Sequence, residues 1–158
     1  MTRREREVTD INDILQIINE TKILHLGLSD EGWPYVVPMN YGCETEDGGR
    51  LTFYFHCARE GRKMDVLKKN PQVCLELDGK HELMEAEVPC GYSYYFESLI
   101  GNGRVEMLSE PEEKVRALRI IMKQQTGKDF CEFHANAVQA VCVLKVELTD
   151  YEVKRNMP

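Results

Sequence analysis

The chain has 158 residues, of which 42% are hydrophobic, and its formal net charge is −7 at pH 7. This length fits one domain over residues 1–158 that buries its own core without disulfide bonds. The acidic balance argues against nucleic acid as the main partner, because binding a phosphate backbone needs a dominant basic field. It does not exclude one phosphorylated ligand held in a local cationic pocket.

The cysteines and the apolar runs predict a cytoplasmic protein. The six cysteines are dispersed without a C-x-x-C pair, and no secretory apolar region follows the first residues, which predicts a reducing compartment. No apolar run approaches the roughly 20 residues that span a bilayer, so we expect no membrane partner. Cys57 follows His56 directly, so a redox or nucleophilic role is conceivable, although nothing in the sequence lowers its pKa.

The N-terminal part predicts a helix and a hairpin. Thr9 and Asp10 form a cap before apolar residues at helical spacing over 11–19. Strands are predicted over 23–28 and 33–41, with a turn between them. Pro34 and Pro38 cannot donate ladder hydrogen bonds, so the second strand should lie at a sheet edge or carry a break.

The central part predicts two more strands around a short helix. An aromatic strand over 51–56 follows a glycine turn, and a helix over 63–69 ends at Asn70 and Pro71. The strand pattern resumes over 72–78, and residues 79–90 are polar and predicted to be irregular.

The C-terminal part predicts a long bent strand, a helix and a closing strand. The long strand covers 92–108 and should bend at the Gly101-Asn102-Gly103 segment. A Ser cap, a Pro and two acidic residues then start a helix over 109–125, and the last strand covers 138–148. Hairpins with helices outside them indicate a mainly β, α+β fold, a mostly antiparallel barrel.

The segment after the aromatic strand has the composition of a phosphate site. In the run from Phe53 to Asp65, an apolar strand breaks into a short loop with Gly61 and then starts a helix with Arg62 and Lys63. A glycine turn, two fixed cations and free N–H groups at a helix start favour a phosphate, although most such pairs are simply solvated surface.

The histidines give one candidate and no metal site. His56 lies beside the predicted phosphate loop and is a candidate to contact a ligand and donate a proton, although a histidine on an aromatic strand is usually structural. His25, His81 and His134 have no partner at metal-ligand spacing, so the sequence predicts no metal.

Four motifs in this order resemble a known family. They are the Trp33–Tyr41 segment, the Tyr54–Asp65 segment, Asn70–Cys74 and Ser98–Gly103. Together they are similar to the successive signatures of the pyridoxamine 5′-phosphate oxidase-like split barrels, most of all to the nitroimidazole-resistance (Nim) branch. The resemblance implies a homodimer of six-stranded antiparallel split β-barrels with flanking helices, which binds FMN in a cleft shared by the two subunits.

The resemblance also implies which residues hold the cofactor. Residues along the second strand would line the isoalloxazine, the next set would follow the ring and the ribityl chain, and two cations would bind the phosphate. In that order these are Val37, Pro38, Met39 and Asn40; His56, Cys57 and Ala58; and Arg62 and Lys63, with Ser98 and Gly101 near the cleft on the long strand.

The function implied is an FMN-dependent oxidoreductase that reduces a small acceptor such as a nitro compound. Vitamin B6 oxidation is not expected, because the arginine and histidine positions of the substrate-binding segment of true pyridoxamine phosphate oxidases are not found in residues 151–158. The alternative is a non-catalytic flavin- or haem-binding module for sensing, storage or sequestration. Related barrels also use deazaflavin, and a decayed cofactor site is a third alternative.

Overall fold

The computed structural model describes residues 3–46 and 48–157. Short 3₁₀ turns at Arg4–Arg6 and Pro89–Gly91 accompany four helices and seven strands in this part of the chain. In chain order these are α1 (Ile11–Glu20), β1 (Ile23–Asp30), β2 (Trp33–Asn40), β3 (Gly42–Glu46), β4 (Arg50–Cys57), α2 (Arg62–Lys69), β5 (Gln72–Met84), β6 (Ser93–Leu108), α3 (Pro111–Thr126), α4 (Ala135–Ala140) and β7 (Cys142–Asn156).

The strands form one antiparallel sheet that curls into a barrel. Their order is β2-β1-β5-β6-β7-β4-β3, so β2 and β3 lie at opposite edges. Only Tyr41 separates these two strands in the chain, so the sheet curls until its edges meet. The structure confirms the expected antiparallel barrel with flanking helices. It adds a seventh strand, because β3 forms where the sequence predicted only the approach to a turn.

The barrel interior holds the main core. Alternate residues of β1, Leu24, Leu26 and Leu28, are buried, as the period of a strand with one face inside requires. Helix α1 closes one end of the barrel with Ile14 and Ile17, and the side chain of its N-cap, Asp10, accepts hydrogen bonds from two main-chain N–H groups. Each buried leucine stabilises the fold by about 1.5–3 kcal/mol.

Helix α3 covers part of the outside of the barrel. Ala117 and Ile121 pack on Tyr54 of β4 and Val143 of β7 in a second, smaller core. Gly42 of β3 lies directly beneath the helix, where a Cβ atom would lie 2.5 Å from the main-chain nitrogen of Ile121. A glycine is therefore required for this close approach of helix and strand.

Two predicted segments are corrected by the structure. Residues 79–84 are not irregular but extend β5 past a bulge between Gly79 and Glu82. Residues 135–140, which include the start of the predicted last strand, form helix α4, because three alanines favour a helix before the β-branched run begins. Strand β7 then continues to Asn156.

Three other expectations are confirmed. Strand β2, which carries both prolines, lies at the sheet edge. The register of β6 against β7 shifts between Asn102 and Gly103, where the bend was predicted. Helix α2 ends at Lys69, just before Asn70 and Pro71. In the described part of the chain, no helix has the length and apolar character that a membrane span requires.

Candidate functional site

The start of α2 is the centre of the candidate site. Gly61 is its N-cap, with φ 117°, and a Cβ at this position would meet nothing within 4 Å, so the backbone conformation alone favours glycine. The first helical hydrogen bonds run from the N–H groups of Met64 and Asp65 to the Gly61 carbonyl. The N–H groups of Arg62 and Lys63 precede these bonds and belong to the helix end that attracts anions.

Lys63 brings a poorly compensated positive charge to this point. Its ammonium Nζ lies 3.1 Å from the sulfur of Met39 on β2, and a thioether is a weak acceptor. Among the described residues none gives Lys63 a carboxylate partner, although the side chain is partly buried. A cation on a partly buried side chain without a counter-ion fits an anionic ligand group such as a phosphate.

Arg62 has partners within the chain. Its Nε and Nη2 both lie 2.9 Å from Asp30 Oδ2, and its guanidinium stacks 4.2 Å from the centre of the Tyr35 ring. The arginine side chain is 60% exposed, and an ion pair at such a position contributes at most about 1 kcal/mol. Arg62 can therefore share its remaining donors with a phosphate while Tyr35 keeps the guanidinium in place.

The β2 segment alternates between the two sides of the barrel wall. Met39 is buried and Val37 partly buried on the inner side, whereas Pro38 and Asn40 are exposed. Asn40 Nδ2 donates to the Lys22 carbonyl at 3.3 Å and to Gln125 Oε1 at 3.2 Å. Because β2 pairs only with β1, its other side leaves main-chain groups that a bound ring edge can use.

The end of β4 leads directly into the phosphate loop. His56 is exposed, Cys57 is partly buried and Ala58 is exposed at the start of the loop. Cys57 lies opposite Cys142 of β7, and its sulfur is 3.6 Å from that of Met64. Burial raises the pKa of the Cys57 thiol, although the charge of Lys63 opposes this, so the thiolate needed for nucleophilic chemistry is disfavoured.

Ser98 and Gly101 lie apart from the other candidates within one chain. Their strand, β6, is three strands from β2 in the sheet, about 14 Å away. His56 of β4 pairs with Val143 of β7, which in turn pairs with Leu108 of β6. Gly101 lies about 23 Å from Leu108 along β6. Gly101 is buried, and a Cβ there would lie 2.7 Å from Leu148 Cδ1, which gives this glycine a packing role.

Sequence analysis missed the two residues that hold Arg62. Asp30 and Tyr35 belong to the β1–β2 hairpin, whereas Arg62 begins α2, and no local pattern connects these segments. The alternation of β2 could have placed Tyr35 on the same side as Val37 and Met39. Contact with Arg62 depends on how the barrel closes, which the sequence pattern does not show.

Comparison with known proteins gives consistent matches. Residues 10–155 match the family model described as pyridoxamine 5′-phosphate oxidase. A solved structure of a candidate 5-nitroimidazole antibiotic resistance protein from Bacteroides thetaiotaomicron is 37% identical, with 94% of this chain and 85% of that chain covered and a TM-score of 0.81. No match was found among curated proteins.

More distant structures share the fold. A flavocytochrome from Azotobacter vinelandii is 21% identical over 99% of this chain and 73% of its own, with a TM-score of 0.79. An FAD and haem binding protein from Mycobacterium smegmatis is 12% identical over 97% and 74% of the two chains, with a TM-score of 0.81. At these identities the likeness concerns the fold alone.

Proposed function

Because the chain belongs to the pyridoxamine 5′-phosphate oxidase family, we propose that it is an FMN-binding oxidoreductase that reduces a small acceptor such as a nitro compound. The observation that carries the proposal is the partly buried Lys63 side chain at the start of α2, beside Arg62. Among the described residues its ammonium has only the Met39 sulfur as a partner. This is the charge arrangement that a phosphate ester requires.

The residues of the site have separable tasks. Arg62, Lys63 and the first N–H groups of α2 hold the phosphate, while the Val37 to Asn40 segment faces the ring with its exposed side and with the unpaired main-chain groups of an edge strand. When FMN is bound, it supplies the electron transfer. His56 is exposed at the end of β4, where its imidazole can reach a small molecule and donate a proton to it.

The nitro acceptor rests on one relative. The 37%-identical structure is named for 5-nitroimidazole antibiotic resistance, and it covers most of both chains. Reduction of a nitro group consumes protons as well as electrons, so an exposed histidine beside the flavin suits this acceptor.

We also propose a homodimer that shares the cofactor cleft. The outer face of β1, β2 and β6 exposes apolar side chains, with Val36 58% exposed and Ile23 and Ile100 about half exposed, and Trp33 at the start of β2 is 76% exposed. Such a face favours a protein partner. Sedimentation should give a dimer, and a monomer that still binds flavin would contradict a shared cleft.

The test of the cofactor is an absorbance spectrum of the purified protein, followed by FMN titration of the apoprotein. Flavin bands and saturation near one FMN per chain are expected. A Soret band would instead support a haem-binding module, in line with the haem named for one structural neighbour. A colourless protein that takes up no FMN would contradict the proposal.

Enzymatic activity needs a second measurement. The FMN-loaded protein, reduced chemically under anaerobic conditions, should transfer its electrons to a nitroimidazole faster than free reduced FMN does. An equal rate would support flavin binding without catalysis.

A further inference from the structure

A second group of polar side chains lies on the outer face of the sheet, away from the start of α2. His25 of β1 and Glu76 and Asp78 of β5 each offer one ligand atom, and these atoms all lie within 4.8 Å of one another. All three residues are partly buried. Imidazole nitrogen and carboxylate oxygen are the donors that zinc and related dications bind in proteins.

Strand pairing brings these residues together. His25 and Glu76 are direct cross-strand partners, and Asp78 follows two residues later, so it lies on the same face of β5. The His25 Nδ1 and Glu76 Oε2 atoms are 3.0 Å apart. Two ligand atoms bound tetrahedrally to one zinc ion at 2.0–2.2 Å lie about 3.3–3.6 Å from each other, so this pair needs to open by only a few tenths of an ångström.

A bulge in β5 adds a fourth side chain. The register shifts between Gly79 and Glu82, and Lys80 within this bulge has φ 54°. The bulge turns His81 back toward the cluster, where its Nε2 lies within ion-pair distance of Asp78 Oδ2. A histidine that holds a ligating carboxylate in orientation is a common outer partner in metal sites.

No lysine or arginine of the described residues pairs with the carboxylates of the cluster. Lys80 is directed to Glu20 and Glu97, at 2.8 and 3.2 Å. Lys22 donates to main-chain carbonyls. In the described ranges, the only ion-pair partners found for Glu76 and Asp78 are the two imidazoles.

The formal charge of the cluster also favours a metal ion. With neutral imidazoles the cluster carries about two negative charges, which suits a dication.

We propose that His25, Glu76 and Asp78 bind a divalent transition metal such as Zn²⁺, with His81 orienting Asp78. A groove of about 540 Å³ is lined by His25, Asp78 and His81 together with Pro38 of β2, so the site is open to a metal ion in the single chain. None of its ligands is a candidate FMN residue, although Pro38, the cross-strand partner of His25, belongs to both sites.

The experiment is Zn²⁺ titration of the full-length, chelator-treated protein by calorimetry, with Co²⁺ absorption as a second readout. One ion per chain is expected, with a Co²⁺ spectrum typical of nitrogen and oxygen ligands. His25→Ala and Asp78→Asn should each weaken Zn²⁺ binding at least about tenfold, and His81→Ala should weaken it less. His134→Ala is the matched control, because this histidine caps α4 outside the cluster, and it should bind as the wild type does.

Three outcomes would overturn the proposal. They are the absence of Zn²⁺ binding, wild-type affinity in His25→Ala, and a thiolate-to-cobalt charge-transfer band, which would place the ion on cysteines. Glu76→Gln serves as a further variant of nearly the same shape if another variant unfolds, and it too should weaken binding. Thermal unfolding of each variant without metal distinguishes loss of a ligand from loss of the fold.

Discussion

The Lys63 ammonium lies 3.1 Å from the Met39 sulfur, so the first turn of α2 and the inner side of β2 meet at one point. The two residues belong to separate sequence motifs: Lys63 is a candidate to bind the phosphate, and Met39 is a candidate to line the flavin ring. Their contact means that the two ends of the candidate cofactor site are held at a fixed separation by the barrel wall. A displacement of α2 would therefore also shift β2.

The double variant Arg62→Ala/Lys63→Ala should weaken FMN binding by several kcal/mol. Each charged hydrogen bond to a phosphate contributes about 1.5–3 kcal/mol, and the variant removes two cations from the start of α2. The measurement is the dissociation constant from FMN fluorescence quenching. Lys68→Ala in the last turn of the same helix is the matched control and should bind FMN normally.

An unchanged affinity in the double variant would show that the phosphate is bound elsewhere. Lys63→Met distinguishes the contribution of Lys63 from that of Arg62, because it keeps much of the volume beside Met39 and removes only the ammonium. It should lose about half of the effect of the double variant.

His56→Ala should keep FMN and lose turnover. The side chain is exposed and its strand is held by the neighbouring Phe55, so the fold and the phosphate contacts should persist. Loss of a general acid commonly costs about 10²–10⁴ in rate. The measurement is the rate of nitroimidazole reduction by the FMN-loaded variant, with flavin content determined in the same sample. Loss of FMN with a normal rate after reconstitution would exclude a role toward the substrate.

Gly42→Ala should destabilise the fold by about 3 kcal/mol or more. The added Cβ would lie 2.5 Å from the Ile121 nitrogen and 2.6 Å from the Ile120 carbonyl carbon, both main-chain atoms of α3 that cannot rotate away. Urea denaturation measures the change. Ser93→Ala, at an exposed strand position, should stay within about 0.5 kcal/mol of the wild type.

Tyr54 should make the protein less stable at high pH. Burial, and then its hydrogen bond to Glu44, raise the pKa of this hydroxyl from 10.0 to about 12. Between these values the folded chain keeps a proton that the unfolded chain releases, so the free energy of unfolding falls as pH rises. The absorbance difference between the wild type and Tyr54→Phe should show a tyrosinate step near pH 12. A step near pH 10 would contradict the shift.

Local patterns predicted the elements well and the pairings poorly. The capped α1 and the proline-marked edge strand β2 follow from spacing and from residues with fixed backbone preferences. Strand β5 was cut short at Gly79, because a glycine followed by polar residues usually ends a strand. Here the bulge lets pairing with β6 continue to Met84. That pairing depends on residues of β6, so the sequence of β5 alone does not predict it.

In the candidate site, too, local patterns predict the residues of one segment but not the contacts between segments. The phosphate loop stays a prediction, and it could be made because glycine, two cations and a helix start are adjacent in the sequence. The prediction of no metal stays untested. It considered spacing along the chain, whereas the site proposed above uses His25 and Glu76, which are 51 residues apart and become neighbours only through the β1–β5 ladder. Asp30 beside Arg62 was missed for the same reason.

The position of Tyr41 between β2 and β3 limits where the chain can accept an inserted residue. It is fully buried, its hydroxyl lies 2.7 Å from the Ile18 carbonyl, and it alone joins the two edges of the sheet. Side chains on a strand alternate with a period of two, so one residue inserted here would exchange the inner and outer faces of β3. Length variation among relatives should therefore avoid this position and collect at exposed turns such as Glu31–Gly32.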